Sequence, residues 1–235
     1  MRRALDAGVD VVEAFVCGPL LAGEDARAAL TRLQAGAAPV HHVSATAFAK
    51  LAFGDRAEGL VVVIRAPDLG LDRLAPPPDA LLVVLEGVEK PGNLGAVLRS
   101  ADGAGAHALI AASPRTDLLN PNVIRASAGT IFSVALATGS ATEVLSWLRA
   151  RGIRIMAARV EASLPYTEAD LTGPVALVLG AEDRGLTDAW SGPDIEAIRV
   201  PMRGIADSLN VSVSAAVLLY EARRQRDLNM HTETD

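Results

Sequence analysis

The stretch ALLVVL, residues 80 to 85, decides the fold class of this chain. An uninterrupted apolar run of this kind is typical of a strand that is buried on both faces of a parallel sheet. The pattern predicts further strands over 107–112, 132–137, 153–158, 175–179 and 195–200, and helices over 93–104, 122–129, 141–151 and 208–226. The sequence therefore predicts an α/β fold, in which helices cover both faces of a parallel sheet.

Three consecutive prolines, at positions 76 to 78, mark the clearest boundary in the chain. Proline stiffens the backbone and disrupts helices and central strands, so we assign 75–79 to a linker. Before it, strands are predicted over 9–16, 40–43 and 59–65, and helices over 24–34 and 46–52. We therefore predict a small α/β domain over 1–74, and a larger domain that carries the parallel sheet over 80–235.

The composition excludes several classes of protein. Half of the residues are hydrophobic, yet no apolar run reaches the ~18 residues that a membrane span needs. We therefore expect no membrane partner and no signal peptide, and the single cysteine, Cys17, suggests a reducing cytoplasm. The four histidines are scattered or adjacent in one strand, so no metal site is expected. A net charge of −6 argues against a protein that coats nucleic acid non-specifically.

Polar or glycine-rich loops follow three of the predicted strands, at the ends where ligands collect in open parallel sheets. The first loop, EGVEKPGNLG at 86–95, leads into a predicted helix. Gly92 and Gly95 would let the backbone approach a ligand, and Asn93 could be an ordinary helix cap. Arg99 lies nearly two turns along that helix, where an unpaired arginine is unusual. Arg125, in IRASAG at 124–129, could contact phosphate or form a surface ion pair.

The second loop, GAEDRGL at 180–186, places two acids and an arginine between glycines. It lacks the lysine of a P-loop and the G-x-G-x-x-G pattern of dinucleotide-binding proteins, so neither kind of phosphate site is predicted. The third loop begins at Pro201 and contains Met202 and Leu209, which could form an apolar slot for an aromatic ring.

The helix after the third loop begins within SLNVSVSAAVLLYE, residues 208–221. Val213, Val217 and Tyr220 recur at helical spacing, as expected of a helix in the core. Its start is crowded with hydroxyl and amide groups, among them Ser208 and Asn210. These residue types are ordinary helix caps, and they would equally suit the end of a ligand-binding loop.

Taken together, the three loops resemble the SpoU (TrmH-type) family of RNA ribose 2′-O-methyltransferases, within the SPOUT superfamily. The matching stretches are NLGAVLRSA at 93–101, LGAEDRGL at 179–186, and VPMRG at 200–204 with SLNVSV at 208–213. The first domain is similar, more loosely, to the family's ribosomal-protein-like substrate-binding domain, through FAKLAFGDRAEG at 48–59. Relatives usually carry an earlier segment with a first strand, so the resemblance implies either a shortened N-terminal domain or a misassigned start.

The resemblance implies a C-terminal trefoil knot, a homodimer, and metal-independent methyl transfer from S-adenosylmethionine to a ribose 2′-hydroxyl. It assigns the cofactor slot to Gly180, Val200, Met202 and Leu209. It assigns the chemistry to Arg99, Asn93, Glu182, Ser208 and Asn210. Because a guanidinium is a poor base, we expect Arg99 to grip a phosphate rather than to take the proton. Further candidates for contacts with RNA phosphate are Arg125, Lys50, Arg56 and Arg65. For Lys50, Arg56 and Arg65, solvated surface charge is at least as good an explanation.

The substrate is less closely defined than the reaction. The extra N-terminal domain favours 23S rRNA, since some tRNA-acting relatives lack it, and a tRNA 2′-O-methyltransferase is the alternative. A non-catalytic RNA-binding or ribosome-assembly protein is a second alternative, which the intact motif residues argue against. A dinucleotide-dependent oxidoreductase is disfavoured, because the glycine fingerprint after a first strand is absent.

Overall fold

A computed structural model describes residues 1–54 and 58–232, with the backbone alone for 230–232. Arg56, one of the candidate RNA contacts, lies outside the described residues. The chain divides into two compact units, Met1–Pro67 and Asp68–Asp235, which we call the N-terminal and C-terminal units. Among the described residues, no helix is both long and apolar enough to cross a membrane.

The division between the units falls earlier than the proline-rich stretch that we assigned to a linker. Residues 68–79 belong to the C-terminal unit because they pack against it. The carbonyl of Leu69 accepts a hydrogen bond from the N–H of Thr138 at 2.8 Å, and Leu74 is buried in the core. The carbonyl of Asp79 accepts a hydrogen bond from Arg226 Nη1 at 2.5 Å. The prolines thus run along the surface of one unit and do not separate two.

The N-terminal unit is a three-stranded sheet with helices. Its elements are α1 (Arg2–Asp6), β1 (Val11–Val16), α2 (Glu24–Ala35), β2 (Val40–His42), α3 (Ala45–Leu51) and β3 (Leu60–Ile64). β1 lies between β2, to which it is parallel, and β3, to which it is antiparallel. Ala14 and Val16 on β1 are buried, as are Leu33 of α2 and Phe48 of α3. Helix α1 was not expected from the sequence.

The C-terminal unit is built on a seven-stranded sheet. Its elements are β4 (Leu81–Glu86), α4 (Pro91–Gly103), β5 (Ala108–Ala112), α5 (Pro121–Ala126), β6 (Ala135–Gly139), α6 (Ala141–Ala150), β7 (Arg154–Ala158), β8 (Leu164–Pro165), β9 (Val175–Leu179), β10 (Ile195–Arg199) and α7 (Val211–Thr232). The strand order is β6-β5-β4-β9-β7-β10-β8, and every pairing is parallel. The predicted α/β fold with a parallel sheet is confirmed.

Alternate side chains of β4 enter two separate cores. Leu81, Val83 and Leu85 lie in the core that contains buried residues of α4, α5 and α7. Leu82 and Val84 lie in the other, with buried residues of α6. Complete burial of such a side chain stabilises the fold by roughly 1.5–3 kcal/mol. The continuous apolar run at 80–85 therefore reflects a strand covered on both faces.

The strand predicted over 132–137 is displaced to Ala135–Gly139, the β6 range. Side-chain hydrogen bonds to the preceding backbone favour a short 3-10 helix at Thr130–Phe132 instead. The hydroxyl of Thr130 donates to the carbonyl of Ser127 at 2.8 Å, and the hydroxyl of Ser133 donates to the carbonyl of Thr130 at 3.0 Å. Local bonds of this kind compete with strand formation.

Helix α7 begins at Val211 and not at Ser208, and its buried face differs from the expected one. Among the described residues of α7, the buried apolar side chains are Val211, Ala215, Leu218, Leu219 and Ala222. By contrast, Val213 is 47% exposed and Tyr220 is 54% exposed. The expectation that Val213 and Tyr220 lie in the core is therefore wrong. These two residues place apolar surface on the outside of the unit.

Candidate functional site

The three loops singled out in the sequence lie at one edge of the sheet. β4 and β9 are adjacent, and β7 separates β9 from β10. Because these strands are parallel, their carboxyl ends share an edge, which is where ligands bind in sheets of this kind. Side-chain hydrogen bonds connect all three segments, from Asn93 to Glu182 and from Asn210 to Glu182.

Glu182 is the residue on which the segments converge. Its Oε1 atom accepts a hydrogen bond from Asn93 Nδ2 at 2.8 Å, and a second from Asn210 Nδ2. Lys90 Nζ lies 2.5 Å from the other carboxylate oxygen, Oε2. Asn210 Nδ2 also lies 3.3 Å from Asn93 Oδ1. We name these four residues the Glu182 network: Lys90, Asn93, Glu182 and Asn210.

The network holds Glu182 in its ionised form. The hydrogen bond from Lys90 is the main influence that lowers the pKa of Glu182, and the amide of Asn93 and the charge of Lys90 act in the same direction against partial burial. Reciprocally, the hydrogen bond to Glu182 raises the pKa of Lys90. Both groups are therefore charged at neutral pH. A carboxylate held in this way orients its donors and is a weak base.

The starts of two helices supply the asparagines of the network. Lys90 is the N-cap of α4, so Asn93 lies within the first turn and is not the cap that it could have been. Asn210 precedes α7, and its Oδ1 accepts from the N–H of Ser212 at 3.0 Å and from its hydroxyl at 2.6 Å. This fixes the amide of Asn210, whose NH₂ group then faces Glu182. The polar start of α7 is thus both a helix cap and part of the site.

A cavity of about 190 Å³ adjoins the network. Its lining includes Gly180, one of the expected cofactor residues, and four carboxylate residues, namely Glu86, Glu89, Glu182 and Asp183. Among the described residues that line it, Lys90 is the one basic side chain. The cavity is therefore suited to a ligand or part of a ligand that carries positive charge.

Two residues of this region were missed by reasoning from sequence. Glu86 ends β4, is 5% exposed, and accepts hydrogen bonds from the N–H and hydroxyl of Thr187 at 2.8 and 2.7 Å. Lys90 contacts Glu182 directly. A signal existed for each of them, because Glu86 is an acid that directly follows an apolar strand, and Lys90 is one of only two lysines in the chain.

Two glycines of the motifs serve close backbone packing. A Cβ atom on Gly180 would collide with the backbone of Gly185 and Leu186, so glycine allows this loop to fold back on itself. A Cβ atom on Gly95 would lie 2.7 Å from the backbone nitrogen of Ser127. Gly95 therefore allows α5 to pack closely against α4, and the expectation that it lets the backbone approach a ligand is wrong.

The remaining motif residues lie outside the hydrogen-bonded network. Arg99 on α4 and Arg125 at the end of α5 are both exposed, and neither forms an ion pair or side-chain hydrogen bond with another residue of the described ranges. Ser208 is exposed. The expected residues of the cofactor slot in the third loop are partly buried: Val200, Met202 and Leu209.

The candidate RNA contacts of the N-terminal unit differ in their environment. Lys50 is exposed in the last turn of α3. Arg65 is also exposed, but its Nε lies 2.8 Å from Asp10 Oδ2. An RNA phosphate would have to compete with Asp10 for Arg65, whereas the charge of Lys50 is accessible.

Comparison with known sequences gives consistent matches. Residues 80–220 match the model of the SpoU rRNA Methylase family. The 23S rRNA (guanosine-2′-O-)-methyltransferase RlmB of Ralstonia nicotianae is 40% identical over 74% of this chain and 69% of its own length. The 23S rRNA (uridine(2479)-2′-O)-methyltransferase of Streptomyces viridochromogenes is 36% identical over 71% of this chain. That match spans 60% of the Streptomyces enzyme, less than two thirds of its length.

The fold has the same relatives. The crystal structure of the SpoU methyltransferase AviRb from Streptomyces viridochromogenes, in complex with the cofactor AdoMet, is 30% identical, with a TM-score of 0.85. The similarity covers 97% of this chain and 87% of that one. The resemblance carried by the three motifs is confirmed, and the chain belongs to the SpoU rRNA methylase family.

Proposed function

We propose that this protein transfers a methyl group from S-adenosylmethionine to a ribose 2′-hydroxyl of 23S rRNA. The Glu182 network carries the proposal, because direct hydrogen bonds bring residues of all three motifs together at the ligand-binding edge of the sheet. The names of the Ralstonia and Streptomyces relatives, both of which methylate 23S rRNA at a 2′-oxygen, support the substrate class.

The residues at this edge fit the cofactor. S-adenosylmethionine would supply a methyl group on a positively charged sulfonium, which departs as a neutral thioether while the proton of the 2′-hydroxyl is released to water. The carboxylates that line the cavity suit that charge, and the partly buried Val200, Met202 and Leu209 offer apolar surface for an aromatic ring. We assign Gly180, Val200, Met202 and Leu209 to cofactor binding, largely through backbone groups.

The polar residues act by positioning. Glu182 fixes the two asparagines, so the second amide hydrogen of Asn93 and the exposed hydroxyl of Ser208 are available to orient the ribose. Holding the 2′-oxygen in line with the transferred methyl lowers the barrier by restricting the reactants. Because its pKa is lowered, Glu182 contributes to this alignment as an acceptor of hydrogen bonds.

Arg99 grips a phosphate next to the reacting ribose. It is exposed and forms no ion pair in the described part of the chain, so its guanidinium is available to an RNA ligand. A protonated guanidinium binds phosphate through two parallel hydrogen bonds, which fixes orientation as well as position. Arg125, exposed on the neighbouring α5, adds a second phosphate contact.

The N-terminal unit binds the substrate RNA. Its compact three-stranded architecture and the exposed Lys50 support this role, and Arg65 joins the contact after exchanging Asp10 for phosphate. Its similarity to a ribosomal-protein-like module rests on the sequence match at 48–59.

Two further features of the family are proposed for this chain. The exposed Val213 and Tyr220 on α7 support a homodimer, since each subunit would otherwise leave this apolar surface in water. The path of the chain supports a trefoil knot. Strand β9 lies between β4 and β7 in the sheet. After β10 the chain comes back to the loop that follows β9, where Asn210 hydrogen-bonds to Glu182.

The proposal is tested by transfer of radiolabelled methyl from S-adenosylmethionine to purified rRNA and, separately, to tRNA. The protein is compared with Arg99→Ala and with Arg73→Ala, a matched arginine that is 71% exposed and belongs to none of the three loops. We expect label in the ribose of rRNA, lost in Arg99→Ala and retained in Arg73→Ala.

Other outcomes would redirect or end the proposal. Label only in tRNA would keep the reaction and overturn the substrate. Cofactor binding without transfer to either RNA would support a binding or assembly role, and absence of both would rule out the enzyme.

A further inference from the structure

We propose that Lys90 is a positioning residue for methyl transfer, which acts by holding one oxygen of Glu182 so that the other is committed to Asn93 and Asn210. This inference rests on the proposed function and adds a residue that the three motifs do not contain.

The two oxygens of Glu182 have separate partners. Oε2 faces Lys90 Nζ at 2.5 Å, and Oε1 accepts from Asn93 at 2.8 Å and from Asn210. The terminal torsion of a glutamate is broad, so without Lys90 the plane of the carboxylate could rotate and move its oxygen away from the two amides. The ion pair with Lys90 selects one orientation, and through it the orientation of both asparagines.

The backbone fixes the origin of the Lys90 side chain. As N-cap of α4, Lys90 accepts at its carbonyl from the N–H of Asn93 at 3.1 Å and of Leu94 at 3.3 Å. Pro91 follows and restricts the first turn. Lys90 and Asn93 therefore approach Glu182 from a single helix end, while Asn210 approaches from another element.

The exposure of the pair argues against a role in stability alone. The side chain of Lys90 is 71% exposed and that of Glu182 is 26% exposed. Ion pairs with an exposed member contribute little to folding, because solvent screens them. Loss of Lys90 should therefore leave the protein folded and disturb the site.

Lys90 is the main group that favours the ionised form of Glu182. Three other carboxylates, of Glu86, Glu89 and Asp183, line the same cavity. Glu89 lies 4.0 Å from Arg115, and Asp183 lies 3.2 Å from Arg184. The side chains that reach Glu182 from α4 and from the start of α7 are the uncharged amides of Asn93 and Asn210, which donate hydrogen bonds to it. Like charges disfavour ionisation, and the pKa of Glu182 is lowered chiefly by Lys90.

The test uses three full-length variants. Lys90→Met removes the charge, Lys90→Arg restores it, and Arg149→Met breaks a comparable ion pair, with Asp194, on α6. The kcat and KM of methyl transfer to rRNA are measured across pH, and the titration of Glu182 is followed by carbon-13 NMR. Thermal unfolding of each variant is recorded under the same conditions.

We expect Lys90→Met to lower kcat by about tenfold or more, as for loss of a charged hydrogen bond. In this variant, the acid limb of the kcat–pH profile and the titration midpoint of Glu182 should both move to higher pH. Lys90→Arg should recover most of both, and Arg149→Met should change neither. Wild-type kcat in Lys90→Met, or an unmoved midpoint, would overturn the inference.

The NMR titration separates this inference from the proposed function, because it requires no turnover. If the wild-type protein methylates no RNA, the proposed function fails. A midpoint that moves in Lys90→Met and stays in Arg149→Met would still establish that Lys90 controls Glu182. A midpoint equal in both variants would refute that control whatever the activity.

Discussion

Strand β4 and the Glu182 network, which lies beyond its carboxyl end, are built in opposite ways. In β4, Leu81 to Leu85 are at most 1% exposed, and each is held by non-directional contacts with many neighbours. In the network, a 26%-exposed carboxylate is held by three directed bonds from two other segments. The strand determines whether the unit folds, and the network determines whether the folded unit has an ordered site.

The comparison implies that stability and activity can be changed separately. A cavity in the core removes free energy of unfolding and leaves the polar edge intact when the protein is folded. A change in the network alters the directions of a few hydrogen bonds and costs less stability than a cavity in the core.

Leu82→Ala should have the largest effect on stability. Leu82 is fully buried, so its truncation should lower the free energy of unfolding by about 2–5 kcal/mol. Denaturant unfolding measures that loss, and kcat is measured at a temperature where the variant is folded. A normal kcat is expected. Loss of kcat in the fully folded variant would show that core and network are coupled.

Gly180→Ala should affect both regions, because Gly180 joins β9 to the loop that carries Glu182. The added Cβ would collide with Gly185 and Leu186, at a cost of about 1–3 kcal/mol. A displaced Glu182 should lower methyl transfer by about 100-fold. Gly18→Ala is the matched control, since Gly18 lies outside the three loops and its Cβ would meet nothing within 4 Å. Equal behaviour of the two variants would contradict the assigned role of Gly180.

Asn210→Ala should have a moderate effect on stability and a clear effect on activity. It removes the cap of α7, worth about 0.5–2 kcal/mol, and one donor to Glu182. Calorimetry and single-turnover methyl transfer measure the two effects. Ser214→Ala, one turn into the same helix, serves as control. A lower melting temperature with an unchanged rate of methyl transfer would show that Asn210 acts only as a helix cap.

The smallest effect should be the pH dependence contributed by Glu182. Its pKa in the folded protein lies below the usual 4.5, so its stabilisation is complete above that value and is lost as pH falls through the folded pKa. Glu182→Gln should therefore differ most in stability from the wild-type protein near neutral pH. Urea unfolding between about pH 3 and pH 7 should show the difference shrinking toward acid. A difference independent of pH would show that the charge of Glu182 does not stabilise the fold.

The sequence by itself determined the α/β class, the parallel sheet and the family. Continuous apolar strands can be read locally, because burial on both faces acts on each residue of the strand. The three motifs are also local, and so Asn93, Glu182 and Asn210 could each be proposed as a site residue from its own segment, and the structure joins them by hydrogen bonds. The positions of Arg99, Ser208 and the cofactor residues relative to a ligand stay predictions.

The tertiary structure alone decided which polar groups touch. Lys90 and Glu182 are 92 residues apart, and Asn93 and Asn210 are 117 apart, so no local pattern relates them. It also decided that Gly95 admits a helix, that residues 68–79 join the C-terminal unit, and that Val213 and Tyr220 face outward. The physical reason is common to all of these. Hydrophobic periodicity reports how much of a residue is covered, whereas pairing depends on which elements the fold brings together.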